Sequence, residues 1–416
     1  MKHDTRNFIL KCVSCKKEFQ PAAIDYTCPD CGPLLGTLDV IYDYKAVAHE
    51  LTRDLLNQNP RFDHWRYLPI LPISNPDFIQ PLAVGWTPLY RSQQLEAEWD
   101  LNAIWIKDDG RNPTASFKDR ASSVAVVKAL EKGVKTVTAA STGNAASSWA
   151  AFTALANLET VIFVPQNAPR AKLAQILLYG AKVLQVQGTY DEAFDLCCQA
   201  AEMWGWYNRS TAINPYLGEG KKTGALEICE QLDWHVPDYV FVAVGDGCIL
   251  QGTWKGFKDF YEIGLIDKLP KLIGVQAEGS APLFKAWQKG AKRCEPLVPH
   301  TVADSISVGV PRDQVKALLA VRESGGQFVA ASDEDILTAV SVLAQKAGVF
   351  AEPAGATALA GLMKLVDSGS CGSQDRVVVM VTGHGLKDID GVMQAVSQKP
   401  VTVENTLQAV EQKLSL

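Results

Sequence analysis

A chain of 416 residues has room for two or three domains, and 47% apolar with 21% charged residues is an ordinary globular balance. A formal net charge of −6 argues against nucleic acid as the main partner. No apolar run approaches membrane-spanning length and the opening residues carry no signal-peptide core, so a soluble cytoplasmic protein without a membrane partner is expected.

Near the N-terminus, Cys12-x-x-Cys15 and Cys28-x-x-Cys31 form two knuckles, with Pro29 and Gly32 supplying turn chemistry at the second. This is zinc-ribbon spacing, in which four thiolates close a tetrahedron around one Zn²⁺. So small a module has too little core to fold unaided, so the metal would supply folding free energy and its role would be structural. A redox pair, or a module that has lost its metal, is the alternative. Zinc ribbons also bind nucleic acid, but no basic-aromatic run accompanies this one. The remaining cysteines (Cys197, Cys198, Cys229, Cys248, Cys294, Cys371) are scattered, which suits a reducing compartment.

From about Val40 to Val84 the chain is rich in Pro, Asn and aromatics. It reads as a wrapping segment without chemistry, extended over Leu68 to Ile73. Gly85-Trp86-Thr87-Pro88-Leu89 is a turn before a strand. Ala103 to Lys107 is apolar and β-rich and feeds a turn from Asp108 to Pro113. Asn112-Pro113-Thr114-Ala115-Ser116-Phe117-Lys118-Asp119-Arg120 then leads into a helix that runs through Leu130 and stops near Gly133. Lys118 therefore sits in the first turn of a helix, beside orphan backbone N–H groups and the positive end of the dipole. A cation is misplaced there, its pKa falls, and a neutral amine is what carbonyl chemistry needs. A solvated lysine paired with a nearby carboxylate is the plain alternative.

Strands and helices then alternate. Strands are expected at Thr136 to Ala140, Thr160 to Val164, Ala181 to Val186, Tyr239 to Val244, Leu272 to Gln276 and Arg376 to Val381. Helices are expected at Ala145 to Leu155, Ala171 to Tyr179, Tyr190 to Trp204 and around Gly252 to Ile263. Buried apolar strands alternating with amphipathic helices mean an α/β protein with largely parallel sheets. Three strand ends carry further signals. Ser141-Thr142-Gly143-Asn144 offers hydroxyls, an amide and the free N–H groups of a helix start, an anion site or an ordinary cap. Gly245-Asp246-Gly247-Cys248-Ile249 follows a strand and precedes a helix, so its backbone N–H groups can converge on a phosphate. Thr382-Gly383-His384-Gly385-Leu386-Lys387-Asp388 ends a buried strand as a tight turn. Glu352-Pro353-Ala354-Gly355-Ala356 reads as a helix start with proline at its first position.

Taken in order, these stretches resemble the motifs of tryptophan-synthase-β-like, fold type II pyridoxal-phosphate enzymes, and threonine synthases in particular. The likeness covers about Gly85 to Asp388. It implies an α/β protein of PLP fold type II with two open α/β domains plus the N-terminal four-cysteine zinc ribbon-like module. Residues 1–39 would be the module, 40–125 and 212–416 the larger cofactor-binding domain, and 126–211 the smaller domain carrying the Ser141 to Asn144 loop. Lys118 would hold pyridoxal 5'-phosphate. Ser141, Thr142, Gly143 and Asn144 would take the substrate's α-carboxylate, with Asn144 also on the cofactor's phenolic oxygen. Gly245, Asp246, Gly247, Cys248 and Ile249 would cup its phosphate, and Thr382 would meet the pyridine nitrogen. His384 would be a neighbour at most.

The resemblance implies conversion of O-phosphohomoserine and water to threonine and phosphate by a homodimer. A serine/threonine dehydratase or a cysteate synthase-like β-replacement enzyme is the alternative, and a non-catalytic protein that binds a partner is a third. Two departures stand out. The cup reads Gly-Asp-Gly-Cys-Ile where better-known members resemble Gly-Asn-x-Gly-Asn, so Asp246 should point away from a phosphate or cap the helix. The position of an anion-binding arginine after Asn214-Pro215 is Leu217, and Arg111 is the cation expected to grip the substrate's phosphate or another anionic tail instead, an arginine packed on Asp108 or Asp109 in a surface turn being the alternative.

Overall fold

The computed structural model describes residues 8–141, 143–166 and 170–414. Thirteen strands occur among the described residues. They are β1 (Phe8–Cys12), β2 (Glu18–Phe19), β3 (Leu38–Tyr42), β4 (Leu89–Arg91), β5 (Ala103–Asp108), β6 (Thr136–Ala140), β7 (Glu159–Pro165), β8 (Lys182–Val186), β9 (Tyr207–Asn208), β10 (Tyr239–Ala243), β11 (Lys271–Ala277), β12 (Gln327–Ala331) and β13 (Arg376–Val381). They assemble into three sheets: β2-β1-β3, β12-β11-β10-β13-β5-β4 and β8-β7-β6-β9. The first is antiparallel. The second is parallel except for its edge strand β4, and the third is wholly parallel.

The central strands of the six-stranded sheet are buried on both faces, which is why they read as near-continuous apolar runs. Alternation of side chains then divides them between two cores. Val240, Val242, Val378 and Met380 face a core with the helices Lys118–Glu131, Cys248–Glu262 and Gln314–Glu323. Phe241, Ala243, Val377, Val379 and Val381 face the helices Asp333–Ala347 and Pro353–Asp367. A smaller core joins Ala140, Val161 and Phe163 to the helix Tyr190–Trp204.

The N-terminal module is continuous with the first of these cores, through Phe8, Leu10, Val40 and Tyr42. Its strand β3 reaches Tyr42, beyond the boundary expected at residue 39. The segment 40–84 departs from the sequence expectation at one point. Leu68, Pro69 and Ile70 close a 3₁₀ stretch, His64–Ile70, and the chain becomes extended only at Leu71. The Asp63 carboxylate accepts the Trp65 N–H and starts that turn, and proline's fixed φ suits its last residues. No helix of the described residues is long and apolar enough to cross a membrane.

In the six-stranded sheet the winding direction reverses between β10 and β13. The crevice outside the carboxyl ends of strands at such a switch point is where open α/β sheets bind ligands. The loops after β5, β10 and β13, which carry Lys118, Gly245 and Thr382, all open there.

Candidate active site

The residues around Lys118 hold it in place through buried charge. Asp119 folds back onto Thr114, accepting from its backbone N–H at 2.6 Å and its hydroxyl at 2.5 Å. Asn112 accepts from Gly85 N–H at 2.9 Å and donates to Asp109 Oδ1 at 2.8 Å. Arg120 donates to Asp109 at 2.6 Å and to both oxygens of Glu227 at 2.5 and 2.8 Å, and Lys107 completes the cluster at 2.7 Å from Glu227. All four of these charged groups are fully buried and paired, as buried ions must be. The same turn is stitched to the end of β13. Phe117 N–H donates to Thr382 O at 2.9 Å, His384 N–H to Ala115 O at 3.1 Å, and Ser116 bridges Gly383. Every polar residue of the motif except Lys118 is thus spent on fixing the turn.

Lys118 opens its helix and lines a narrow cavity of about 60 Å³ with Gly245, Asp246, Gly247, Cys248, Ile249, Arg209, Lys221, Glu352 and Thr382. Its pKa is lowered to about 8. Burial is the largest cause, Lys221 the next, Glu352 opposes and Arg209 adds to the fall. The expected depression is present, with burial and two neighbouring cations as its source.

The glycine-rich turn is tightly folded. Gly247 has φ of +94° and lies so close to the helix Gln314–Glu323 that a Cβ would meet Ala317 Cβ at 2.6 Å. It starts the helix Cys248–Glu262, whose first N–H groups receive no side-chain cap. Asp246 lines the cavity, and its carboxylate accepts from Arg312 N–H at 3.0 Å.

Two cations that the sequence reading passed over line the same cavity. Arg209 and Lys221 are buried, at 2% and 3% exposure. Neither forms a salt bridge with a carboxylate among the described residues. Arg209 donates to Ser122 Oγ at 3.3 Å, while its Nε has no partner among the described residues. Burial lowers both pKa values, Arg209 to about 10. Lys221 reaches Lys118 because its helix, Tyr216–Lys221, lies directly on the lysine helix: a Cβ on Gly220 would stand 1.9 Å from Arg120 O. The Gly220-Lys221-Lys222-Thr223 stretch is the local signal that could have drawn attention to Lys221, and nothing local distinguishes Arg209.

Glu352 accepts from Asn144 Nδ2 at 2.7 Å, joining the four-stranded sheet's first helix to the cavity. Gly143 and Asn144 line a second space of about 410 Å³ with Ser147, Thr301, Asp304 and Lys387. Space over Gly143 is open. Ser141 Oγ accepts from Gly143 N–H at 3.3 Å, and Thr142 lies outside the described residues. His384 caps a short turn by accepting from Leu386 N–H at 3.2 Å, a loop role. Arg111 does not join the cavity. Its side chain is 56% exposed and pairs with Asp108 at 3.3 Å, because the short 3₁₀ turn Asp109–Arg111 directs it outward. Leu217 is packed in the core.

Away from the cavity, the thiol sulfurs of Cys12, Cys15, Cys28 and Cys31 all lie within 4.8 Å of one another, with Cys15 and Cys28 at 3.7 Å. Four sulfurs about 2.3 Å from one tetrahedral ion stand roughly 3.8 Å apart, so the cluster is close to metal-ready. The thiols also ionise unequally. Cys15 is lowered to about 7 by the Lys17 backbone N–H, and Cys31 is raised to about 12, first by its hydrogen bond with Cys15. A cation at the centre removes that conflict.

Residues 81–383 match the family model described as pyridoxal-phosphate dependent enzyme. The chain is 42% identical over 396 residues to the threonine synthase of Methanocaldococcus jannaschii, covering 95% of this chain and 96% of that one. It is 40% identical over 409 residues to the threonine synthase of Methanosarcina acetivorans, covering 97% and 98%. Among solved structures, the processed threonine deaminase isoform 2 of Solanum lycopersicum superposes with a TM-score of 0.64 at 21% identity, over 83% of this chain and 94% of that one. At that identity the likeness speaks for the fold alone.

Proposed function

The chain belongs to the pyridoxal-phosphate dependent enzymes, as a threonine synthase-like lyase, and we propose that it converts O-phosphohomoserine and water to threonine and phosphate. The observation that carries the reading is the cavity in which Lys118 meets a glycine-lined helix start and two buried cations without salt-bridge partners among the described residues. Those residues fit an aldehyde that ends in a phosphate. Lys118 offers the amine, the backbone N–H groups from Gly247 onward take the phosphate, and Arg209 Nε is a donor still lacking an acceptor. Thr382 would offer a neutral hydroxyl to the ring nitrogen, and Asn144 and Glu352 would border the ring's polar edge.

Bound there, the cofactor supplies an electron sink for a carbanion at the substrate's Cα. The chain supplies the rest. Lys118 Nζ, poised near neutrality, accepts a proton from carbon and returns it. Arg209 and Lys221 balance the negative charge of the cofactor's phosphate beside Lys118. The Gly143–Asn144 helix start binds the α-carboxylate and fixes the amino acid's orientation.

Cys12, Cys15, Cys28 and Cys31 would hold one structural Zn²⁺, supported by the sulfur spacing. Protein purified without chelator should contain close to one zinc per chain, and zinc-free reduced protein would end that part of the proposal. The same reading assigns the six-stranded sheet to the larger domain, the four-stranded sheet to the smaller, and a cytoplasmic homodimer to the assembly.

The deciding experiment incubates purified protein separately with O-phosphohomoserine, threonine and serine, and scores phosphate, threonine and oxo acid. Equal amounts of phosphate and threonine from the first substrate support the proposal. Oxo acid from threonine or serine, with no phosphate released from O-phosphohomoserine, would transfer the assignment to a dehydratase.

A further inference from the structure

Two like charges line one cavity near a third at Lys118 and repel one another; Asp246 and Asp313 attract Lys221 and Glu352 lines the same cavity, but no salt bridge to a carboxylate among the described residues holds either cation. Something rigid behind them must. We propose that the four-cysteine module is that support, so that metal occupancy at its thiols sets how tightly the catalytic cavity binds phosphate. The inference rests on the reading of the cavity as a phosphate site.

Three connections carry it, that of Tyr42 buried and the other two partly so, each ending close to an anion-binding group. Tyr26, two residues before Cys28, accepts the Asn208 N–H at 2.8 Å, and the next residue is Arg209. β3 pairs along its length with β1, whose last residue Cys12 lies opposite Leu38. At the far end of β3 the Tyr42 hydroxyl donates to Glu219 at 2.6 Å, on the helix turn that carries Lys221. Leu38 O and Asp39 together hold Lys316 Nζ, at 2.7 and 2.8 Å, and the adjacent Ala317 is the side chain against which Gly247 is packed. The second knuckle thus braces Arg209, and the first braces Lys221 and the glycine turn. If the thiols let go of their metal, β1, β3 and the Tyr26 loop lose their common anchor, and all three groups lose registry at once. Anion sites depend on such registry because hydrogen-bonded charge falls off within fractions of an ångström.

Linkage makes the coupling reciprocal: whatever zinc does for phosphate affinity, phosphate must do for zinc affinity. The test uses the full-length protein and the variants Tyr26→Phe and Tyr42→Phe, which alter neither a cysteine nor a residue lining the cavity. Apoprotein is titrated with pyridoxal 5'-phosphate and with pyridoxal, which has the aldehyde but no phosphate. Zinc release to a chromophoric chelator is timed with and without pyridoxal 5'-phosphate. Each variant should bind pyridoxal 5'-phosphate roughly five- to tenfold more weakly, the loss expected for one buried hydrogen bond, and pyridoxal within about twofold of wild type. The cofactor should slow zinc release from wild type, and slow it less in the variants. Equal weakening of both probes would mean general loosening and overturn the proposal, as would unchanged cofactor affinity or zinc release indifferent to cofactor. A wild-type chain that binds neither probe would overturn the cofactor reading itself, a result distinct from all of these.

Discussion

Replacing Lys221 by glutamine should raise the pKa of Lys118. At pH 7 an amine with a pKa near 8 is neutral in about one molecule in ten, against about one in three thousand for an ordinary lysine at 10.5. Burial is the larger part of that advantage and Lys221 the next. Both side chains line the same cavity and Lys221 acts on Lys118 as a neighbouring charge, at a separation taken as roughly 10 Å. At that separation and an effective dielectric of about 20, two positive charges repel by about 1.7 kcal/mol, a little over one pKa unit. Lys221→Gln should therefore cut the neutral fraction at pH 7 about tenfold and move the midpoint upward by about one unit. The assay is the rate at which apoprotein captures pyridoxal, followed by absorbance across pH 6 to 11. Pyridoxal has no phosphate, so lost anion binding does not enter, and the midpoint reports the amine alone. Lys221→Arg keeps the charge and should keep the midpoint. An unmoved midpoint in Lys221→Gln, or a wild-type midpoint near 10.5, would refute the reasoning.

Lys118→Ala should abolish borohydride-trappable cofactor, and cofactor trapped on another lysine would show the assignment to be wrong. Burial alone would raise the Glu227 carboxyl, but Arg120 and Lys107 together hold it at about 2. Because that folded value lies below the ordinary one near 4.5, the stabilisation is complete above pH 4.5 and is lost as pH falls toward 2. Glu227→Gln should cost roughly 3–5 kcal/mol at pH 7, read by urea unfolding, and should flatten the acid limb of the stability profile. Gly220→Ala would drive a methyl to 1.9 Å from Arg120 O. About 1–3 kcal/mol of lost stability and a lower Tm are expected, and a wild-type Tm would show that the two helices can part freely.

The parts of the fold that could be read in sequence are those whose signal is local. β13 and the helix Tyr190–Trp204 occupy the expected spans because apolar run length and periodicity define them. β9 was passed over because only two residues pair, and what makes them a strand is β6 alongside. β12 lies at the sheet edge, in a short Gln-Phe-Val-Ala-Ala run with little alternation. The site divides in the same way. Lys118, the glycine turn and Thr382 each follow a strand within a recognisable motif. The importance of Arg209 and Lys221 comes from burial without a salt-bridge partner among the described residues, which depends on segments far away in the chain. Arg111 was the converse: a cation conspicuous in the sequence that the turn directs to solvent.

The backbone contact of Gly220 on Arg120 has a mechanical consequence. With no side chain between them, the two helix backbones that carry Lys118 and Lys221 are held in direct contact. Arg209 and Asn144 hang instead from the ends of the four-stranded sheet. Any swing of that sheet changes their distance from the lysine pair while leaving that backbone contact undisturbed. The molecule thus has one jaw held together at its backbone and one that can travel, with the Asn144–Glu352 hydrogen bond as the catch between them.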